Sequence, residues 1–245
     1  MIEKYKDKIN YIIVESNPND IYQIEEGDTE DRKNQKYILN ALKRENYQRN
    51  SIKLGLQESE NEDYIMVSDI DEIPNLEKNN LKNINKKLIF FKQKIFNYKF
   101  NLHLESFIWY GTKVSRKKNL ISPQWLRNVK GKKYPFWRIE TIISKKKYQN
   151  IHIIEDGGWH FSYIKEPKDI EKKLKSYLHH REYDVEPAGI NKIEQLIKDK
   201  KTIYDLRVDM RKSKFTGGQD LKIVDTGELP SYLQKNIEKY KQWLA

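Results

Sequence analysis

The stretch YIMVSDIDEIP, residues 64–74, sets four apolar side chains directly against three carboxylates. Tyr64, Ile65, Met66 and Val67 have the aromatic and β-branched character of a short buried strand, and Pro74 cannot continue one. Burying the run while leaving the charges in water puts Asp69, Asp71 and Glu72 at the rim of a sheet. If the chain stays extended through Ile70, side chains alternate between faces: Asp69 and Asp71 project together and Ile70 packs the other way. Two carboxylates converging at a strand end make a seat for a hard cation such as Mg²⁺ or Mn²⁺, with coordination positions left open to a diphosphate. The carboxyl ends of strands are also where α/β sheets bind ligands. A D-x-D tripeptide alone is weak evidence, because charged chains contain it by chance; the plain alternative is a solvated acidic turn.

The rest of the chain supports a folded protein around that strand. Hydrophobic residues are 37% and charged residues 34% of 245, but 12% aromatics is not the composition of a disordered chain. Lys+Arg 47 against Asp+Glu 36 gives a net charge of +11, which suits an anionic partner: a nucleotide diphosphate, nucleic acid or an acidic membrane surface. The lysines are scattered rather than blocked, so a generic cationic surface explains most of the excess. There is no cysteine, which excludes disulfides, thiolate catalysis and cysteine-bound zinc. MIEKYKDKIN has no apolar core of signal-peptide length, and no stretch approaches the roughly 20 apolar residues of a membrane span. The expectation is a cytoplasmic protein with no transmembrane segment and at most peripheral membrane contact.

Along the chain, INYIIVES (9–16) reads as a buried strand, 17–34 as a loop, and 35–57 as one or two helices. Residues 86–102 and 107–115 alternate as strands, and 152–164 is a further strand broken at Gly157-Gly158. Pro167 opens an amphipathic helix over 166–180, and 190–199 is another. A terminal helix over 229–245 turns Leu233, Ile237, Tyr240 and Leu244 inward. With no internal repeat and no linker, these mixed elements predict one α/β domain over 1–245, the C-terminal helix packing on it.

SDIDEIP together with GGWHFSY (157–163) resembles glycosyltransferase family 17. So do, in order, INYIIVES, the Tyr-x-x-Arg-Asn segment within ENYQRNSIKLGL (45–56), FKQKIFNYKFNL, SPQWLR (122–127), KDIEKKLKSYLHHREYD and LPSYLQKNIEKY. The resemblance implies a GT-A-like fold with a mixed central sheet, a nucleotide-sugar donor such as UDP-GlcNAc, a divalent cation (Mn²⁺ or Mg²⁺), and inverting transfer to a glycan or glycolipid acceptor. It assigns Asp69 to the ribose and the metal, Asp71 to the metal-diphosphate, and His160 to the third protein ligand. It also matches Arg49 and Asn50 to donor contacts. In family members a further strand precedes the helix that leads into INYIIVES. Here Met1 falls inside that helix, so the expectation is an unpaired sheet edge with exposed apolar surface and weakened donor binding.

Each candidate also has a structural reading. Glu72 is either a catalytic carboxylate or the group that orients a backbone amide or a lysine beside the metal. His160 and Trp159 are either a ligand and a sugar platform or hydrogen-bonded core residues, with Gly157-Gly158 allowing close backbone approach to a ligand. Arg49 and Asn50 alternatively form a helix-to-sheet link. Lys173 neutralises the departing diphosphate and His180 with Glu182 orients the acceptor or supplies the base, or all three are simply exposed residues at a helix end. Glu182, Asp156 and Glu72 all remain open as the base that takes the acceptor proton. Trp109, Tyr110, Trp125 and Trp137 line an acceptor groove or fill the core. The competing functions are a basic nucleic-acid-binding protein, a metal-dependent nuclease using Asp69 and Asp71, and an inactive relative. No helix-turn-helix, zinc or RNP-type motif supports the first, so nucleic acid is not an expected partner.

Overall fold

The computed structural model describes residues 3–77, 79–131, 144, 150–176, 188–205 and 218–245. Chain contacts divide the protein into two compact units, Met1–Val67 with Val114–Gln149, and Ser68–Lys113 with Asn150–Ala245.

In the first unit, Thr29 accepts a hydrogen bond from the Arg32 backbone N–H and starts helix α1 (Glu30–Asn50), with Glu30 and Asp31 in the first turn where the helix dipole favours them. The helix therefore begins earlier than its apolar spacing predicts. It continues as a 3-10 segment, Ser51–Leu56. Strand β1 (Tyr64–Val67) is the apolar run of the acidic motif, with Ile65 and Val67 buried. Helix α2 (Pro123–Asn128) is capped by the Ser122 hydroxyl, which accepts the Trp125 N–H. The predicted strand at 9–16 does not form. Those residues have no regular structure, and Tyr11 and Ile13 are 81% and 64% exposed. A β-branched run becomes a strand only against a partner that takes its backbone groups, and none of the described residues pairs with it.

The second unit is built on a mixed sheet. It contains β2 (Glu72–Pro74), β3 (Leu88–Asn97), β4 (Leu102–Arg116, whose last three residues pass into the first unit), β5 (Ile151–Ile154), β6 (Gly158–Ser162) and β7 (Lys222–Ile223). The order runs β4-β3-β6-β2, with β5 also on β3 and β7 on β4. Strands β3 and β6 are parallel, with Ile95 opposite His160 and Asn97 opposite Ser162; β2 and β6 are antiparallel, with Glu72 opposite His160. The class is therefore mixed α/β, as expected.

Alternation along these strands separates two cores. Ile95 faces Leu104, Tyr163, Ile170, Leu174 and Ile193, so that helices α3 (Pro167–Ser176) and α4 (Gly189–Lys198) cover that side. Phe96 and Phe161 face Leu229 and Leu233 on the other. There the predicted terminal helix breaks: α5 (Ser231–Lys235) stops where Asn236 leaves helical geometry at φ −121° and ψ 25°, and a 3-10 segment, Ile237–Trp243, follows. Leu233, Ile237, Tyr240 and Leu244 still point to this core.

Gly157 and Gly158 belong to the fold itself. A side chain at Gly157 would strike the Lys92 backbone, and one at Gly158, whose φ is +115°, would strike the Ile73 carbonyl. The close approach that the glycine pair permits is between strands, which corrects the expectation that it serves a ligand.

Candidate active site

The acidic motif is a turn, not an extended strand end. The Glu72 N–H donates to the Asp69 carbonyl at 3.0 Å, closing a β-turn over Asp69–Glu72, and Ile70 at its tip is fully exposed instead of packing inward. The cause is Glu72. Its carboxylate is buried and accepts the Asp69 backbone N–H at 3.0 Å, so a side chain takes a backbone donor that an extended chain would offer to a neighbouring strand.

The other oxygen of Glu72 accepts the Trp109 indole N–H at 2.9 Å. Beneath the turn, the Ser68 and Thr112 hydroxyls lie 2.7 Å apart, and Gln93 brackets Thr112, its amide nitrogen donating to the hydroxyl and its oxygen accepting the Thr112 N–H. Gly111 makes room for this set. A Cβ there would collide with the Gln93 amide and lie 2.9 Å from the Glu72 carboxyl carbon. Sequence reasoning missed Ser68, Gln93, Gly111 and Thr112. The available signal was Gln93, an uncharged polar residue inside the otherwise apolar LIFFKQKIF.

Asp71 points away from that network. Its Oδ1 is 3.6 Å from His160 Nε2 and its Oδ2 is 4.0 Å from Lys173 Nζ. Strand register brings His160 there: it pairs across from Glu72, and the next residue, Phe161, donates its N–H to the Asp71 carbonyl at 2.8 Å. The imidazole packs on Trp109 with ring centroids 4.8 Å apart. Lys173 reaches in from α3 and stands 5.0 Å over the Tyr163 ring. Burial pushes the Asp71 carboxyl up, but His160 and Lys173 together hold it below its ordinary value, so it is an anion at neutral pH. Asp71 and Lys173 open on a groove of about 420 Å³ walled by Ile70, Phe100, Tyr240 and Trp243. Phe100, Tyr240 and Trp243 were read from sequence only as strand and helix residues.

The remaining candidates sit elsewhere. Asp69 is half-buried in the turn. Asp156 is exposed on the β5–β6 turn, where Asn75 donates to it at 3.4 Å. The Trp159 ring packs in the Phe96–Phe161 core, and its indole N–H donates to the Glu228 carbonyl at 2.7 Å. Arg49 donates to Gln124 at 2.6 Å and to Glu45 at 2.9 Å, while Asn50 accepts the Gln124 backbone N–H at 3.1 Å. Both residues thereby tie α1 to α2 within the first unit. His180, Glu182 and Trp137 lie outside the described residues.

A divalent cation finds two facing donors here, the Asp71 carboxylate and the His160 imidazole. Their separation of 3.6 Å is close to the roughly 3 Å between neighbouring ligands of an octahedral ion bound at about 2.1 Å. Among the described residues no third His, Asp or Glu joins them. The pair fits an ion that takes its other ligands from substrate and water.

The family model for glycosyltransferase family 17 matches residues 5–245. The chain belongs to glycosyltransferase family 17. Comparison with curated proteins and with solved structures gives no match. A family 17 transferase needs both a donor and an acceptor site, and at the Asp71 turn a carboxylate, an imidazole and a lysine meet an open groove. No described helix is long and apolar enough to cross a membrane.

Proposed function

We propose that the protein is a divalent-cation-dependent, inverting transferase with a GT-A-like fold that moves N-acetylglucosamine from UDP-GlcNAc to a glycan or glycolipid acceptor. Family membership supports transfer of a sugar. The observation that carries the site is Asp71 held between His160 and Lys173 at the mouth of the groove.

In this reading Asp71 and His160 hold Mn²⁺ or Mg²⁺, which when bound neutralises the donor diphosphate. Lys173 adds a positive charge where negative charge grows as the bond from the anomeric carbon to the diphosphate oxygen breaks. The acceptor hydroxyl attacks that carbon from the opposite face and its proton passes to a carboxylate. Asp156 and Glu182 remain the candidates. Glu72 is the positioning residue, because both of its oxygens already hold Trp109 and the turn. Asp69 follows as the ribose contact and His180 as a further donor-binding residue, both carried by the family resemblance. The compartment that fits this reading is the cytoplasm.

Thermal shift of the full chain tests the proposal, because a ligand that binds only the native state raises its stability. UDP-GlcNAc with Mn²⁺ is expected to raise the melting temperature and UDP-GlcNAc without metal to raise it far less. Asp71→Ala is expected to lose the metal-dependent part completely at an unchanged unliganded melting temperature, and His160→Ala to lose only some of it. A full shift in Asp71→Ala refutes the assignment.

A further inference from the structure

The parallel pair β3 and β6 ends on two residues in register, Asn97 and Ser162. Each strand then leaves through a tyrosine in left-handed backbone geometry, Tyr98 at φ 65° and Tyr163 at φ 57°. A bulky side chain in that region costs about 1–2 kcal/mol, and residues held this way cluster at functional sites. Beside these two exits lies a hollow lined by Ile95, Asn97, Trp109, His160, Ser162 and Ile203 among others, and Tyr163 lines both it and the groove at Asp71.

Asn97 is only 6% exposed and lines this hollow, where its side-chain amide can both donate and accept. His160, on the same wall, keeps a buried Nδ1 that is unpaired among the described residues. A buried polar group left without a partner, as His160 Nδ1 is, costs about 1–3 kcal/mol, so the hollow suits a polar guest, and Asn97 on its wall can pair with one that offers both a donor and an acceptor. Ile95, Ile203 and Trp109 give it an apolar side, and among the described residues no lysine, arginine or carboxylate lines it. A charged guest would be left unpaired there. The matching chemistry is a compact neutral amide carrying a methyl-sized apolar end.

His160 lines this hollow, and its Nε2 lies 3.6 Å from Asp71. In a nucleotide sugar, the substituent on C2 is one carbon from the anomeric centre, and so within a few ångströms of the diphosphate. We propose that the hollow is the subsite for the 2-acetamido group of the donor sugar. Asn97 pairs with its amide and is the residue that separates an N-acetylhexosamine donor from a plain hexose donor. The inference rests on the transferase reading above and extends it to the specificity of the same site.

Calorimetric titration of the full chain in Mn²⁺ with UDP-GlcNAc, UDP-glucose and UDP tests it. The unmodified protein is expected to bind UDP-GlcNAc about tenfold or more tighter than UDP-glucose, the scale of one well-made polar contact. Asn97→Leu, close in size, is expected to bring the two sugars within about twofold while UDP binds as before. Ile203→Phe, which fills the hollow from its apolar side, is expected to weaken UDP-GlcNAc selectively and provides the reading if Asn97→Leu does not fold. Equal affinity for both sugars in the unmodified protein means that the hollow holds only water, and overturns the subsite while leaving the transferase standing. Discrimination that survives both variants also overturns it. A chain that binds none of the three ligands overturns the transferase reading and the subsite with it.

Discussion

Helices α1 in the first unit and α3 in the second are both rich in charge, yet different forces hold them. In α3 the apolar residues Ile170 and Leu174 are fully buried against the sheet and α4. In α1, twenty-one residues long, the single buried side chain is Asn40, while Tyr37, Ile38, Leu39, Leu42 and Tyr47 are exposed. What fastens α1 is polar. Asn40 exchanges two hydrogen bonds with the Tyr22 backbone at 2.8 Å each, Lys36 pairs with the buried Asp28 at 2.6 Å, and Arg49 reaches Gln124. The second unit therefore has the rigidity that a site needs, because its residues cannot move without opening a packed core. The first unit is specified by directional contacts on a largely uncovered helix.

Substitutions that remove the same kind of side chain in the two units should break or sharpen this contrast. The largest effect is expected for Phe96→Ala in the second unit, where the ring is fully buried between Phe161 and His103. A loss of about 3–5 kcal/mol in chemical denaturation is expected, and a loss under about 1 kcal/mol would mean that this core is far looser than its burial implies. Gly111→Ala comes next, since a methyl group there must displace Gln93 and crowd Glu72. About 1–3 kcal/mol is expected, together with weaker Mn²⁺-dependent UDP-GlcNAc binding, because the Asp69–Glu72 turn hangs on Glu72. Unchanged donor binding would separate that network from the site. The smallest effect is expected for Leu42→Ser on α1, within about 0.5 kcal/mol in the same denaturation experiment. A cost of about 2 kcal/mol or more would show that this face is covered in solution.

The same contrast explains what the sequence disclosed. β1, β3, β4 and the broken β5–β6 pair were legible because alternation and β-branched runs report burial in a sheet, and each of these strands has buried side chains. INYIIVES carries the same composition and does not form a strand, because composition records fitness for a sheet and not the presence of a neighbour to pair with. At the site, Asp71, His160 and Lys173 were named from separate motifs, His160 and Lys173 lying 89 and 102 residues after Asp71, and the fold brings them together. The shape of the motif was not legible. Period-two reasoning placed Ile70 inward, whereas the bond from the Asp69 N–H to Glu72 turns the chain and leaves Ile70 in water. Asn97, Thr112 and Gln93 escaped notice because a buried polar residue looks like a surface residue until its strand is placed.

The division of the chain also bears on its synthesis. Each unit is assembled from two separated segments, and residues 1–67 complete their unit only with Val114–Gln149, after the first part of the other unit has been made. At about 5–20 residues per second, the intervening stretch takes a ribosome roughly 2–10 s. For that interval the nascent chain holds α1, with its apolar tyrosines, leucines and isoleucine, before the segment bearing α2 and Gln124 exists. Arg49 and Asn50, whose bonds to α2 await Gln124, then act as a latch that closes late in translation.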